Sequence, residues 1–405
     1  MREYKASPIS GESESPLLRK SVKASEILFL ISLTSIFLPW KIYPLVFLIS
    51  SALFLWESRP IQISQWNIPL LIYLVYGLVV GTLTYSGQSR EIFNVAKLII
   101  NPLFLIASVH WLRKRDNSRL IELMDWILGT LLLLTAIQLL IYHVSFDFRM
   151  ILGSSSSGQA SALYRPGLYY WGLDDKNMFG ARIALLGFVF LFIPVIRKNR
   201  LSVLRVLFVF VVAFLSLSRT PMVALLIGIL ALCWLILARR WKIALIILLA
   251  IALPFFLREV IRIDSITSSN DGMGIRLVYW KAFFTNFQDL SIWGGGFAEA
   301  ERFLRANADF YRGEPHIHNT FMTTYVEFGL IGFLAYSTFL GFFAQACFKR
   351  VKSVGLWIVL YLPILSIMMI LYSGYDNDIM IYLTLIWLVG TFKSIDFHQT
   401  KIKAL

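Results

Sequence analysis

Residues 201–241 read LSVLRVLFVFVVAFLSLSRTPMVALLIGILALCWLILARRW. Two apolar runs flank one polar turn, Ser216-Leu217-Ser218-Arg219-Thr220-Pro221, and the second run closes on Arg239 and Arg240. Each run approaches the length that carries a helix through a hydrocarbon core of about 30 Å, so the stretch predicts a hairpin of two membrane helices. The basic residues at its far end and the polar turn at its near end assign the two sides of the membrane.

The same pattern extends in both directions. Apolar runs predict spans near 26–40, 43–56, 68–85, 93–112, 121–144, 177–196, 201–217, 220–238, 242–257, 319–347, 354–373 and 378–392. The chain has 405 residues, 58% hydrophobic and 15% charged, which is too little polar surface to cover a soluble domain of this length. Its formal net charge of +14 does not point to nucleic acid, because the basic residues lie in short clusters between apolar runs. These clusters are Arg19, Lys20 and Lys23; Arg113, Lys114, Arg115 and Arg119; Arg197, Lys198 and Arg200; Arg239, Arg240 and Lys242; Lys349, Arg350 and Lys352; and Lys393, Lys401 and Lys403. With twelve spans every cluster falls on one side, which the positive-inside rule makes the cytoplasm. The expected fold is an all-α polytopic membrane protein of about twelve transmembrane helices, with a large outer loop that contains short interfacial helices.

The expected layout is a cytoplasmic tail (1–25), five spans (26–144), a first outer loop (145–176) and four spans (177–257). A larger outer loop (258–318), three spans (319–392) and a cytoplasmic tail (393–405) follow. The polar first residues carry no cleavable signal pattern, so the first span is expected to act as the start-transfer helix. Cys233 and Cys347 both sit inside apolar runs, which argues against disulfide staples and thiolate metal sites. The two outer loops are too long to be idle connections, and the larger one is nearly charge-neutral and rich in aromatics.

Arg219 sits at the outer turn, where a positive charge opposes the topology rule and calls for an anionic partner. Snorkelling to lipid phosphates satisfies the same residue, although Pro221 makes a tight turn that aims it. Arg276 and Trp280 are four apart, hence on one helical face, within apolar spacing that fits an interfacial helix. An ordinary headgroup-level helix explains them as well. The run Gly294-Gly295-Gly296 permits close backbone approach but is not a phosphate-loop signature. In Pro315-His316-Ile317-His318-Asn319 the two histidines are expected to point in opposite directions, and their spacing is wrong for two zinc ligands on one helix face. One histidine at a helix N-terminus is held neutral by the dipole, ready to accept a proton, or simply caps the helix. In the first outer loop Tyr164, Arg165, Tyr169, Tyr170 and Trp171 precede Asp174, Asp175 and Asn177. Aromatic faces beside carboxylates suit sugar rings, and an aromatic belt at the membrane interface accounts for the same residues.

Ser218-Arg219-Thr220-Pro221, then Arg276 with Trp280 and a Gly-rich stretch, then His318-Asn319-Thr320-Phe321 leading into Glu327-Phe328-Gly329-Leu330-Ile331-Gly332 together resemble the O-antigen ligase superfamily. That superfamily takes in O-antigen ligases, lipid-linked glycan polymerases and some protein O-oligosaccharyltransferases. The resemblance implies a multi-pass protein of the bacterial inner membrane, with both termini cytoplasmic and a periplasmic active site. Its donor would be an undecaprenyl-pyrophosphate-linked glycan. Arg219 and Arg276 would clamp the pyrophosphate and His318 would deprotonate the acceptor hydroxyl, giving inversion without a metal or cofactor. Trp280, Asn319, His316, Arg165, Tyr169, Tyr170, Trp171 and Asp174 would contact substrate. The acceptor would be lipid A-core oligosaccharide in a ligase or a lipid-linked repeat in a polymerase. The Pro-His-Ile-His-Asn form and the modest loop resemble the ligases, whereas Arg302 and Gly313, with ten residues between them, resemble polymerases. Membrane lipids are expected partners and nucleic acid is not. A transporter or flippase also fits twelve helices, but no internal repeat or pair of broken mid-membrane helices supports one.

Overall fold

The computed structural model describes residues 23–38, 40–145, 147–148, 176–198, 200–237, 239–255, 272–351, 354–390 and 403–404. A helix stands at each of the twelve apolar stretches. They are α1 (Ala24–Ser35), α2 (Tyr43–Glu57), α3 (Asn67–Leu83), α4 (Ser89–Arg113) and α5 (Ser118–Ser145), then α6 (Lys176–Lys198), α7 (Val203–Leu215), α8 (Arg219–Ile236) and α9 (Arg239–Phe255). The segment expected to be the larger loop contributes α10 (Gly272–Thr285) and α11 (Glu299–Asn307), after which come α12 (Thr320–Val351), α13 (Val354–Met368) and α14 (Asn377–Gly390). Among the described residues α4, α5, α6 and α12 are long and apolar enough to cross a membrane. The other apolar helices are shorter, and at about 1.5 Å per residue they fall below the hydrocarbon thickness.

Two helices form the centre. Every residue of α14 from Asn377 to Val389 is buried, and α6 is buried almost all round. A helix apolar on all sides has no reason to prefer one neighbour, so it sits inside the bundle. There α4, α6, α12 and α13 surround α14, while α5, α7 and α8 pack on α6. Large side chains such as Trp40, Trp56, Leu83, Trp126 and Ile251 are turned outward, as a surface that meets lipid requires. Two cations of the centre are paired with carboxylates at the start of α14. Arg182 in α6 donates from Nε to Asp378 at 2.9 Å and from its guanidinium to the Ile36 carbonyl, and Lys97 in α4 reaches Asp376 at 3.3 Å.

A second, smaller core lies over one end of the bundle. Ile275, Tyr279 and Phe283 of α10 pack against Phe303 and Leu304 of α11, and against Ile317, Tyr325 and Val326. The glycine run finds its purpose beside this cap. Helix α12 is interrupted at Gly329 (φ 62°, ψ −164°), and residues 292–296 dock into the gap. Leu330 N donates to the Ile292 carbonyl (2.8 Å), Gly295 N to Val326 (3.1 Å) and Gly296 N to Glu327 (2.8 Å). The backbones meet so closely that a Cβ on Gly329 would lie 2.1 Å from the Ile292 oxygen, and one on Gly294 2.6 Å from the Glu327 oxygen.

One expectation changes here. The span expected over 354–373 stops at Met368, and residues 369–376 turn back across the start of α12 because their carbonyls are taken by side chains from that helix and from α10. Helix α10 turns its face at Ile275, Arg276 and Tyr279 into the second core and leaves Leu277 and Phe284 exposed.

Candidate active site

His318 stands just before α12 and is 7% exposed. The helix start is fixed by Asn319, whose Oδ1 accepts from Phe321 N (3.0 Å) and Met322 N (3.1 Å). Its Nδ2 donates to the Met369 carbonyl at 3.2 Å, and the residue is buried. Asn319, expected to touch substrate, also caps α12 and ties the turn at His318 to residue 369. On its other side the Ile317 N–H donates to Thr323 Oγ1 at 3.2 Å. Between these anchors His318 adopts φ 56°, a left-handed conformation that a non-glycine residue takes only when its surroundings impose it.

That conformation corrects the expectation for the two histidines. Opposite directions follow from a strand or helix, and the left-handed turn at His318 is neither. The rings of His316 and His318 stand edge to face with centroids 4.8 Å apart. On another side the Tyr279 ring lies parallel to His318, 6.0 Å away. Tyr279 is itself fixed: its hydroxyl donates to the Glu314 carboxylate and accepts from Arg312 N at 3.2 Å. Burial and the Glu314 hydrogen bond raise its pKa, so it stays a phenol.

The electrostatics favour a neutral imidazole. Burial first, then His316, Arg276 and Arg312, push His318 well below the ordinary histidine value. The neutral state expected at this position is thus traced to desolvation and nearby positive charge. Nδ1 of His318 is buried with no hydrogen-bond partner among the described residues.

Arg276 is 5% exposed. Its Nε donates to the Ile370 carbonyl (3.1 Å) and its Nη1 to Gly272 (2.7 Å), so backbone oxygens aim the guanidinium. One turn on, the Trp280 indole N–H is buried without a partner among the described residues, a donor on the arginine's own helical face. The seam at 369–372 joins the pieces, since Thr320 Oγ1 also donates to Leu371 (2.9 Å). From Tyr372 the seam continues into the bundle, its hydroxyl donating to Asp378 at 3.0 Å.

Arg219 opens α8 and is half-buried. Ser218 beside it donates to Asn177 Oδ1 at 3.0 Å, which ties this turn to the start of α6. The start of α6 carries Arg182, bound to Asp378 below the seam, so Arg219 lies at the same end of the bundle as His318 and Arg276. The structure brings Arg276, His316 and His318 together and places Arg219 on a separate helix start at that end. Arg165, Tyr169, Tyr170, Trp171 and Asp174 lie outside the described residues. Sequence reading missed Tyr279, Glu314 and the 369–372 seam. Tyr279 alone left a trace, its position three residues after Arg276 on one helical face.

No curated protein matches the chain. The O-antigen ligase family matches residues 204–337, a stretch that contains Arg219, Arg276, Trp280, His316, His318 and Asn319. Over those residues the chain is similar to the O-antigen ligase family.

Proposed function

We propose that the protein is a membrane glycosyltransferase of lipopolysaccharide biosynthesis. It moves a polysaccharide from undecaprenyl pyrophosphate to lipid A-core oligosaccharide on the periplasmic face. The observation that carries this reading is a histidine held neutral beside a buried, backbone-aimed arginine, inside the O-antigen ligase domain. The acceptor hydroxyl attacks the anomeric carbon of the donor sugar while His318 takes its proton. The bond from that carbon to the pyrophosphate oxygen breaks, and the electron pair leaves on the lipid pyrophosphate. A leaving group that departs as an anion needs positive charge placed in advance, which Arg276 and Arg219 supply. Displacement in line inverts the anomeric centre and needs no metal, so transfer is expected to persist in the presence of a chelator.

The second reading, a polymerase that joins lipid-linked repeats, uses the same chemistry with a different acceptor. Deletion of the chain separates the two. A missing ligase leaves normal-length polymer on the lipid carrier and bare core, whereas a missing polymerase leaves core capped by a single repeat. The second outcome replaces lipid A-core by a lipid-linked repeat as the acceptor.

A further inference from the structure

The end of α6 and α7 far from Ser218 and Asn177 holds a pocket of about 280 Å³. Arg197, Arg200 and Arg205 line it together with Pro194, Leu201 and one carboxylate, Asp125. Arg197 lies in the last turn of α6, Arg200 in the short connection and Arg205 in the first turn of α7. Arg205 is fixed by a bidentate pair with Asp125 (2.6 and 3.1 Å), by the Phe190 carbonyl (3.1 Å) and by the Phe190 ring at 4.1 Å. Arg197 pairs with Glu122 at 3.2 Å, and exposed Arg200 makes no ion pair among the described residues. Three guanidiniums against two carboxylates leave an excess of positive charge. Ser202, the N-cap of α7, also lines the pocket, so the positive end of that helix opens on it.

The surface next to the pocket narrows the ligand. Leu204, Leu207, Val211 and Phe214 are all exposed, and their spacing sets them in one stripe along α7, starting at the pocket. A cationic head site continuous with an apolar stripe is complementary to an amphiphile with an anionic head. The volume lies just below the ~300 Å³ at which small-molecule pockets begin, enough for a headgroup. Basic pockets between membrane helices at the cytoplasmic side bind such headgroups. We propose that this pocket binds the phosphate of an anionic phospholipid, with its acyl chains along the exposed face of α7. The proposal is independent of the transfer reaction.

The full chain, purified in detergent, is titrated with phosphatidylglycerol, phosphatidylcholine or inorganic phosphate, and bound adducts are counted by native mass spectrometry. Phosphatidylglycerol is expected to bind, and the double variant Arg197→Gln, Arg200→Gln to lose about 30-fold in affinity. Arg205 is left intact because it also holds Asp125. The double lysine variant keeps the charge and is expected to retain most of the binding, which separates loss of the site from misfolding. Equal affinity of wild type and glutamine variant, or equal binding of phosphatidylcholine, overturns the proposal. Protection by inorganic phosphate alone, with no retained phospholipid, overturns the lipid assignment and gives the pocket to a soluble phosphate.

Discussion

At the scale of single residues, the proposed site rests on one imidazole and the charges that face it. His318→Ala is expected to spare binding of labelled lipid-pyrophosphate donor while lowering turnover by about 10²- to 10⁴-fold, the range of a general base. Arg276→Ala and Arg219→Ala weaken donor binding as well, since each removes a charge-assisted contact. Lysine restores Arg276 only in part, because a point charge lacks the planar fork. Parallel donor-binding and transfer assays separate these patterns, and an His318→Ala protein that still turns over removes the base assignment. The pH profile follows from the same neighbours. With the His318 pKa well below that of an ordinary histidine, kcat/KM stays level as pH falls through about 6.5 and drops only further down. Arg276→Gln deletes one of the charges that disfavour the imidazolium, so the falling limb moves to higher pH. A limb that stays in place shows that Arg276 does not act on His318. The linkage runs in the same direction. Below about pH 6.5 the unfolded chain binds a proton that the folded ring refuses, so stability declines as pH drops.

At the scale of elements, the decisive device is the break in α12 at Gly329, filled by the backbone of residues 292–296. Gly329→Ala forces a side chain into a left-handed conformation, which costs about 1–3 kcal/mol before any clash is counted. The clash is with backbone, 2.1 Å from the Ile292 oxygen, and no rotamer relieves it. The variant is expected to lose thermal stability and transfer activity together, whereas Gly341→Ala, with open space around it, changes neither. Thermal melts of both variants in detergent are the check. Elements of this kind divide what was legible from what was not. Apolar runs are a one-dimensional property, so each helix of the bundle was visible in the chain itself. The meaning of Gly294-Gly295-Gly296 was not, because it depends on a helix that starts two dozen residues later and breaks at the right turn. His316 was misread for a related reason: direction inferred from regular geometry fails where one residue leaves it.

At the scale of the whole molecule, the first test is orientation. Reporter fusions at position 290 are expected to be active only outside the cytoplasm and fusions at 240 only inside it. The reverse pattern puts His318 in the wrong compartment for a lipid-linked donor presented to the periplasm. The basic clusters made this reading available from sequence, whereas the packing order of the helices was not. Lys97 meets Asp376 across 279 positions and Arg182 meets Asp378 across 196, and no local pattern announces such partners. These pairs have a consequence for how the protein is made. The ribosome delivers α14 long after α4 and α6 have left it. Until α14 arrives, Lys97 and Arg182 wait in the bilayer without their carboxylates, a state that hydrocarbon penalises. The growing chain is thus an open ring that the arrival of α14 closes. A polypeptide cut short before Asp376 exposes two lone cations to the machinery that removes failed membrane proteins, so the codons of Asp376 and Asp378 carry the decision on whether the earlier helices survive.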